Sequence, residues 1–133
     1  MHEYTIWFDQ VGMDDVALVG GKNASLGEMI SHLSNADVNV PPGFATTAPA
    51  FIEFLQSAGI DQNIRGELAA LDVDDLTQLS HTGQVVRELI RSAPLPARLE
   101  QAIRESYARL ELREGENCSV AVRSSATAED LPD

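Results

Sequence analysis

A chain of 133 residues is long enough for one domain with a single core and short for an enzyme that must seat several substrates. A hydrophobic share of 44% against 23% charged residues excludes a disordered chain. The 21 acidic against 9 basic residues, net −12, exclude a basic face for nucleic acid or anionic membrane. No apolar run reaches membrane-spanning length, "MHEYTIWFDQ" lacks a signal-peptide pattern, and the single Cys118 cannot pair within the chain, so the expected setting is the cytoplasm.

In chain order, "WFDQVGMDDVALVGG" predicts a short extended segment followed by a loop that ends in the pair Gly20-Gly21. From Asn23 the period changes. Leu26, Met29, Ile30 and Leu33 recur at helical spacing and predict a core-facing stripe, with close packing compensating for Gly27. Val38 and Val40 alternate before Pro41-Pro42-Gly43, so any strand there is irregular or at an edge. Thr47 with Pro49 predicts a helix start, followed by an apolar stripe of Phe51, Ile52, Phe54, Leu55 and Ala58 up to Gly59.

A helical block is expected from about 61 to 110. Its first helix carries Ile64, Leu68 and Leu71. Its second begins near Asp74 or Asp75 and carries Leu76, Leu79, Val86 and Ile90. Its third, after "APLP", turns Leu99, Ala102, Ile103, Tyr107 and Leu110 inward. Arg104 with Glu100 and Arg109 with Glu105 stand at i,i+4 spacing, as on a solvated face. "REGEN" predicts a turn and "CSVAVRSSA" a strand, with Val120 and Val122 on one face and Ala121 and Arg123 on the other. The chain then stops in the polar stretch "TAEDLPD", the pattern expected of a truncation.

Lys22 is the chain's only lysine, and it follows the glycine pair at a helix start. Unpaired N–H groups and a partial positive charge make such a corner an anion site, and glycines let a phosphate approach. The stretch departs from the nucleotide P-loop pattern, which would need glycine at Val16 and Ser or Thr at Asn23. A phosphate corner and a merely solvated lysine therefore both remain open. Arg123 has the same two readings, a surface ion pair or a cleft cation. The loop "RSSATAED" beside it supplies the hydroxyls and amides of a phosphate clamp. His2, His32 and His81 are scattered without a cysteine partner and mark no zinc site. Asp14-Asp15 and Asp72, Asp74 and Asp75 stand near helix starts, where they favour the dipole over a metal. No metal ligand is assigned in this chain.

Taken together, "QVGMDDVALVGGKNASLGEM", "VPPGFATTAPAFIEFL" and "VAVRSSATAEDLPD" resemble the N-terminal nucleotide-binding region of the phosphoenolpyruvate synthase (pyruvate, water dikinase) family. The resemblance spans nearly the whole chain and is least distinctive between about 61 and 110. The wording "GGKNASLGEM" is nearer to these synthases than to pyruvate, phosphate dikinases, which usually read "GGKGANLAEM".

The resemblance implies an α+β, helix-rich fold with a small sheet, the first lobe of an ATP-grasp-type domain, with residues 1–133 ending before the second lobe. The extended segments near Trp7, Val40 and Val120 would form that sheet. It implies that Lys22 and Arg123 contact ATP phosphates, with Gly20, Gly21, Thr46, Thr47, Ser124 and Ser125 as secondary candidates that could equally be caps and turns. In the family the β-phosphoryl of ATP passes to a histidine on a swivelling domain and then to pyruvate, giving phosphoenolpyruvate, AMP and phosphate. No such histidine motif is present here, so no catalytic residue is assigned, and this chain alone is expected to be inactive. Mg2+ is implied as a cofactor with ligands outside the chain, pyruvate as a partner of the full-length enzyme only, and a homodimeric parent is left open. The alternatives are the same lobe of a phosphate-using dikinase or related phosphotransferase, or a noncatalytic module whose acidic helical block is a binding face.

Overall fold

A computed structural model describes residues 3–33 and 40–127; the expectations for His2, for Val38 and for the tail after Thr127 lie outside them. The elements run β1 (Thr5–Trp7), short 3-10 turns at Phe8–Gln10 and Met13–Asp15, α1 (Val16–Val19), α2 (Gly21–Leu33), β2 (Phe44–Thr46), α3 (Ala48–Ser57), α4 (Asp61–Ala69), α5 (Leu76–Ser92) and α6 (Ala97–Glu114). The chain divides into two compact units, residues 1–51 with 98–133, and residues 52–97.

In the first unit β1 and β2 form an antiparallel pair, with Thr5 opposite Thr46, Ile6 opposite Ala45 and Trp7 opposite Phe44. The Trp7 and Phe44 rings meet with centroids 5.6 Å apart and tilted by 56°, and the Arg113 guanidinium lies 5.6 Å from the Trp7 ring, a cation–π distance. Val11, Val19, Ala24 and Ala45 form the buried centre, with Ile6, Phe8, Val16 and Leu18 packed against it. Thr47, only 1% exposed, donates its hydroxyl to the Glu3 carbonyl at 2.7 Å and accepts the Ala50 N–H at 3.3 Å, which caps α3. Along α6 the buried residues Leu99, Ser106 and Leu110 share one face, and the Ser106 hydroxyl bonds that of Thr5 at 2.8 Å.

The helix α2 corrects the expected stripe. Its buried positions are Gly21, Ala24 and Gly27, whereas Met29 is exposed and Leu26, Ile30 and Leu33 are half-buried. A Cβ on Gly27 would overlap the Val11 carbonyl and lie 2.7 Å from that of Phe8. The turn at 8–11 thus sits directly on the helix backbone, and only the small-residue face admits that approach. The large residues, though at helical period, flank the contact.

The third strand is also corrected. Among the described residues 118–126 no strand forms; Val120 is 51% and Val122 91% exposed. Alternating valines favour extended backbone, but a strand exists only when a neighbour supplies the ladder hydrogen bonds, and no described segment does. Val40 likewise lies outside any strand, and β2 forms beyond Pro41-Pro42-Gly43, where ladder donors return.

In the second unit α4 and α5 pack on each other. Asp75 caps α5 by accepting the Gln78 N–H at 3.1 Å, while Gln78 accepts the Asp72 N–H at 2.8 Å and Asp72 that of Asp74 at 3.0 Å. The acidic cluster is therefore a turn and a cap. Leu76 and Leu79 depart from the inward stripe expected of α5; they are exposed, and Leu76 is 77% so. Burial on α5 falls at Thr82 instead, with Val86 and Ile90 half-buried.

Candidate functional site

The glycine corner is built where two helices meet without a linker. Gly20 closes α1 by donating its N–H to the Val16 carbonyl at 2.8 Å, and its own carbonyl accepts the Ala24 N–H of α2 at 3.0 Å. One residue serves both helices because its φ is +85°, a left-handed conformation that a side chain rarely adopts. A Cβ there would also overlap the Ser125 hydroxyl and lie 2.9 Å from the Ser125 carbonyl carbon.

That overlap marks the central feature of the site. The segment at 125–126, a hundred residues further along the chain, lies on the corner. Gly21 donates its N–H to the Ala126 carbonyl at 3.0 Å, and Asn23 donates its backbone N–H to the Ser125 hydroxyl at 3.4 Å. Both are amides of the first turn of α2, which have no partner within the helix. The far end of the same segment is held too, since the Tyr107 hydroxyl donates to the Cys118 carbonyl at 2.8 Å. Partial burial, with Cys118 and Glu111 alongside, pushes the Tyr107 phenol above its ordinary value.

Lys22, between the two bonded amides, is exposed on the first turn of α2. Arg123 and Ser124 are exposed two and one residues before Ser125, which is half-buried against the corner. The structure thus brings Gly20, Gly21 and the first turn of α2 together with Ser125 and Ala126. β2 reaches the neighbourhood through Ala45, which packs with Val19 and Ala24 on either side of the corner. The two threonines that follow differ: Thr46 is exposed opposite Thr5, and Thr47 is the buried cap of α3. His32 lies exposed in the last turn of α2, 3.4 Å from Glu28, and His81 is exposed on α5. Among the described residues no three His, Cys, Asp or Glu side chains gather as metal ligands. No described helix is long and apolar enough to cross a membrane.

Sequence reasoning overlooked Asn23. Its side-chain amide donates to the Val19 carbonyl at 2.9 Å, tying the end of α1 to the start of α2. The signal was available: asparagine is a poor interior helix residue and is favoured where its short amide can bond nearby backbone.

The phosphoenolpyruvate synthase of Escherichia coli (strain K12) is 56% identical over 128 residues, covering 96% of this chain and 16% of that protein. That of Pseudomonas aeruginosa (strain UCBPP-PA14) is 53% identical over 133 residues, all of this chain and 17% of the relative. That of Aquifex aeolicus (strain VF5) is 48% identical over 129 residues, 96% of this chain and 15% of the relative. The chain spans about a sixth of the length of these curated relatives. Residues 16–133, which include the glycine corner and the segment laid on it, match the family model described as pyruvate phosphate dikinase, AMP/ATP-binding domain. This chain belongs to that family.

Proposed function

We propose that this chain is the first ATP-binding lobe, of ATP-grasp type, of a cytoplasmic phosphoenolpyruvate synthase, and that Lys22 and Arg123 hold the phosphates of ATP. The whole enzyme would transfer the β-phosphoryl of ATP through a histidine elsewhere in the polypeptide to pyruvate. The observation that carries the reading is the pair of bonds from Gly21 to Ala126 and from Asn23 to Ser125, which joins the backbones bearing the two cations. Because those two amides are already engaged, the phosphate contacts fall to the side chains. Lys22 would act as a point charge on a flexible stem, and Arg123 as a planar fork able to hold two oxygens at once. A polyphosphate leaving group gains negative charge as its bond breaks, and cations set in place beforehand stabilise that charge. The two cations would do so against a chain of net charge −12, which repels ATP at long range. The Mg2+ that accompanies ATP would take its ligands from outside this chain.

The test is made in the intact polypeptide. Lys22→Ala and Arg123→Ala should each slow ATP-dependent phosphorylation of the histidine on the order of 100-fold with an unchanged melting temperature. Wild-type rates in both variants would refute the reading. Water-dependent formation of AMP and phosphate, with no requirement for added orthophosphate, separates a synthase from a phosphate-using dikinase.

A further inference from the structure

We infer that Asn23 is a positioning residue that sets the place of Lys22, an inference that rests on the phosphate reading of that lysine. Besides the bonds of Gly20 to Val16 and Ala24, the corner has three ties, and Asn23 makes two of them. Its side-chain amide donates to the Val19 carbonyl at 2.9 Å, and its backbone N–H donates to the Ser125 hydroxyl at 3.4 Å. The third is the Gly21–Ala126 bond at 3.0 Å.

The ties act on one another through Gly20. With φ at +85° this residue is the joint between α1 and α2, and glycine at that φ has a broad choice of conformations. A flexible joint directly before the cation would spread the Lys22 backbone over several orientations. The backbone bonds of Gly20 to Val16 and Ala24 limit that freedom, and the Asn23 amide adds a side-chain bond across the joint, from the first turn of α2 back to the last residue of α1. Its N–H on Ser125 then sets the register of the 123–126 segment against the same turn. The Lys22 backbone is therefore held on both sides, with Gly21 bonded to Ala126 and Asn23 to Ser125, the residue before it. Nothing in this arrangement needs Asn23 to touch the nucleotide. Its effect is to fix where the ammonium stem starts relative to the guanidinium stem.

A positioning role predicts dependence on the residue positioned. In the intact polypeptide, ATP dissociation constants are measured by calorimetry for wild type, Asn23→Ala, Lys22→Ala and the double variant, each with a thermal melt. Asn23→Ala should weaken ATP on the order of tenfold, and the double variant should bind no more weakly than Lys22→Ala alone, the signature of two residues acting through one contact. Asn23→Asp keeps the size but cannot donate to Val19, and it should weaken ATP at least as much. It also supplies the comparison if Asn23→Ala melts below the assay temperature. A Lys22→Ala loss accompanied by wild-type affinity in both Asn23 variants, or by additive losses in the double variant, overturns the inference alone. Wild-type affinity in Lys22→Ala overturns the phosphate site and the inference with it.

Discussion

At Gly20 two demands coincide, a left-handed φ of +85° and the absence of any atom where Ser125 lies. Either could be relaxed alone. A residue with a side chain can occupy the left-handed region at a cost, and a serine can turn away. Together they leave only glycine. Gly20→Ala should therefore lower stability by about 2 kcal/mol, read as a fall in melting temperature, from backbone strain plus displacement of the segment. Adding Ser125→Gly should restore part of the loss, because it removes the hydroxyl overlap and leaves the strain and the close approach to the backbone at 125–126. Lys22 illustrates the opposite case. Its identity as the chain's one lysine was plain in the sequence, but that the residues on either side of it bond to Ser125 and Ala126 was not.

Among the elements, α5 shows how an amphipathic pattern and a buried face can part. Leu76, Leu79, Val86 and Ile90 are one periodic set, but Leu76 and Leu79 are exposed while Val86 and Ile90 are half-buried. The first turn of α5 is instead held by chemistry local to the sequence, the Asp75 cap and the Gln78 bonds to the preceding turn. Two substitutions one residue apart should consequently behave in opposite ways. Asp75→Ala should cost about 1 kcal/mol by removing the cap. Leu76→Ser, at a side chain that is 77% exposed, should stay within about 0.5 kcal/mol of wild type. Chemical denaturation of the two variants side by side decides it. The segment at 118–126 is the complementary case, pinned near both ends by Tyr107 and by Gly21, with valines between that have no ladder.

For the molecule as a whole, the two units differ in how they are held. Residues 1–51 with 98–133 are stitched by contacts distant in sequence: strand pairing, the Thr5–Ser106 bond, the Thr47–Glu3 bond and the glycine corner. The unit at 52–97 relies on helices and short-range turns, and Phe54, Ile60 and Thr82 are its buried residues. Local opening is cheapest where few side chains are buried. Hydrogen exchange should accordingly find the amides of α2 between Ala24 and Ile30 the slowest in the protein, with those of α4 and the first half of α5 faster. Equal protection in the two regions would contradict this account.

By itself the amino-acid sequence determined what depends on neighbours along the chain. Helix periods, the caps at Thr47 and Asp75, the turn at 115–117 and the family wording around Lys22 and Arg123 all follow from residues within a few positions of one another. Only the tertiary structure decided which face each helix buries, that β1 finds its partner in β2 while the valines near 120 find none, and that Ser125 and Ala126 come to rest on the glycine corner. The physical reason is common to all three. Burial, ladder bonds and close approach each need a second surface, and no periodicity within a segment says which distant residues will provide it.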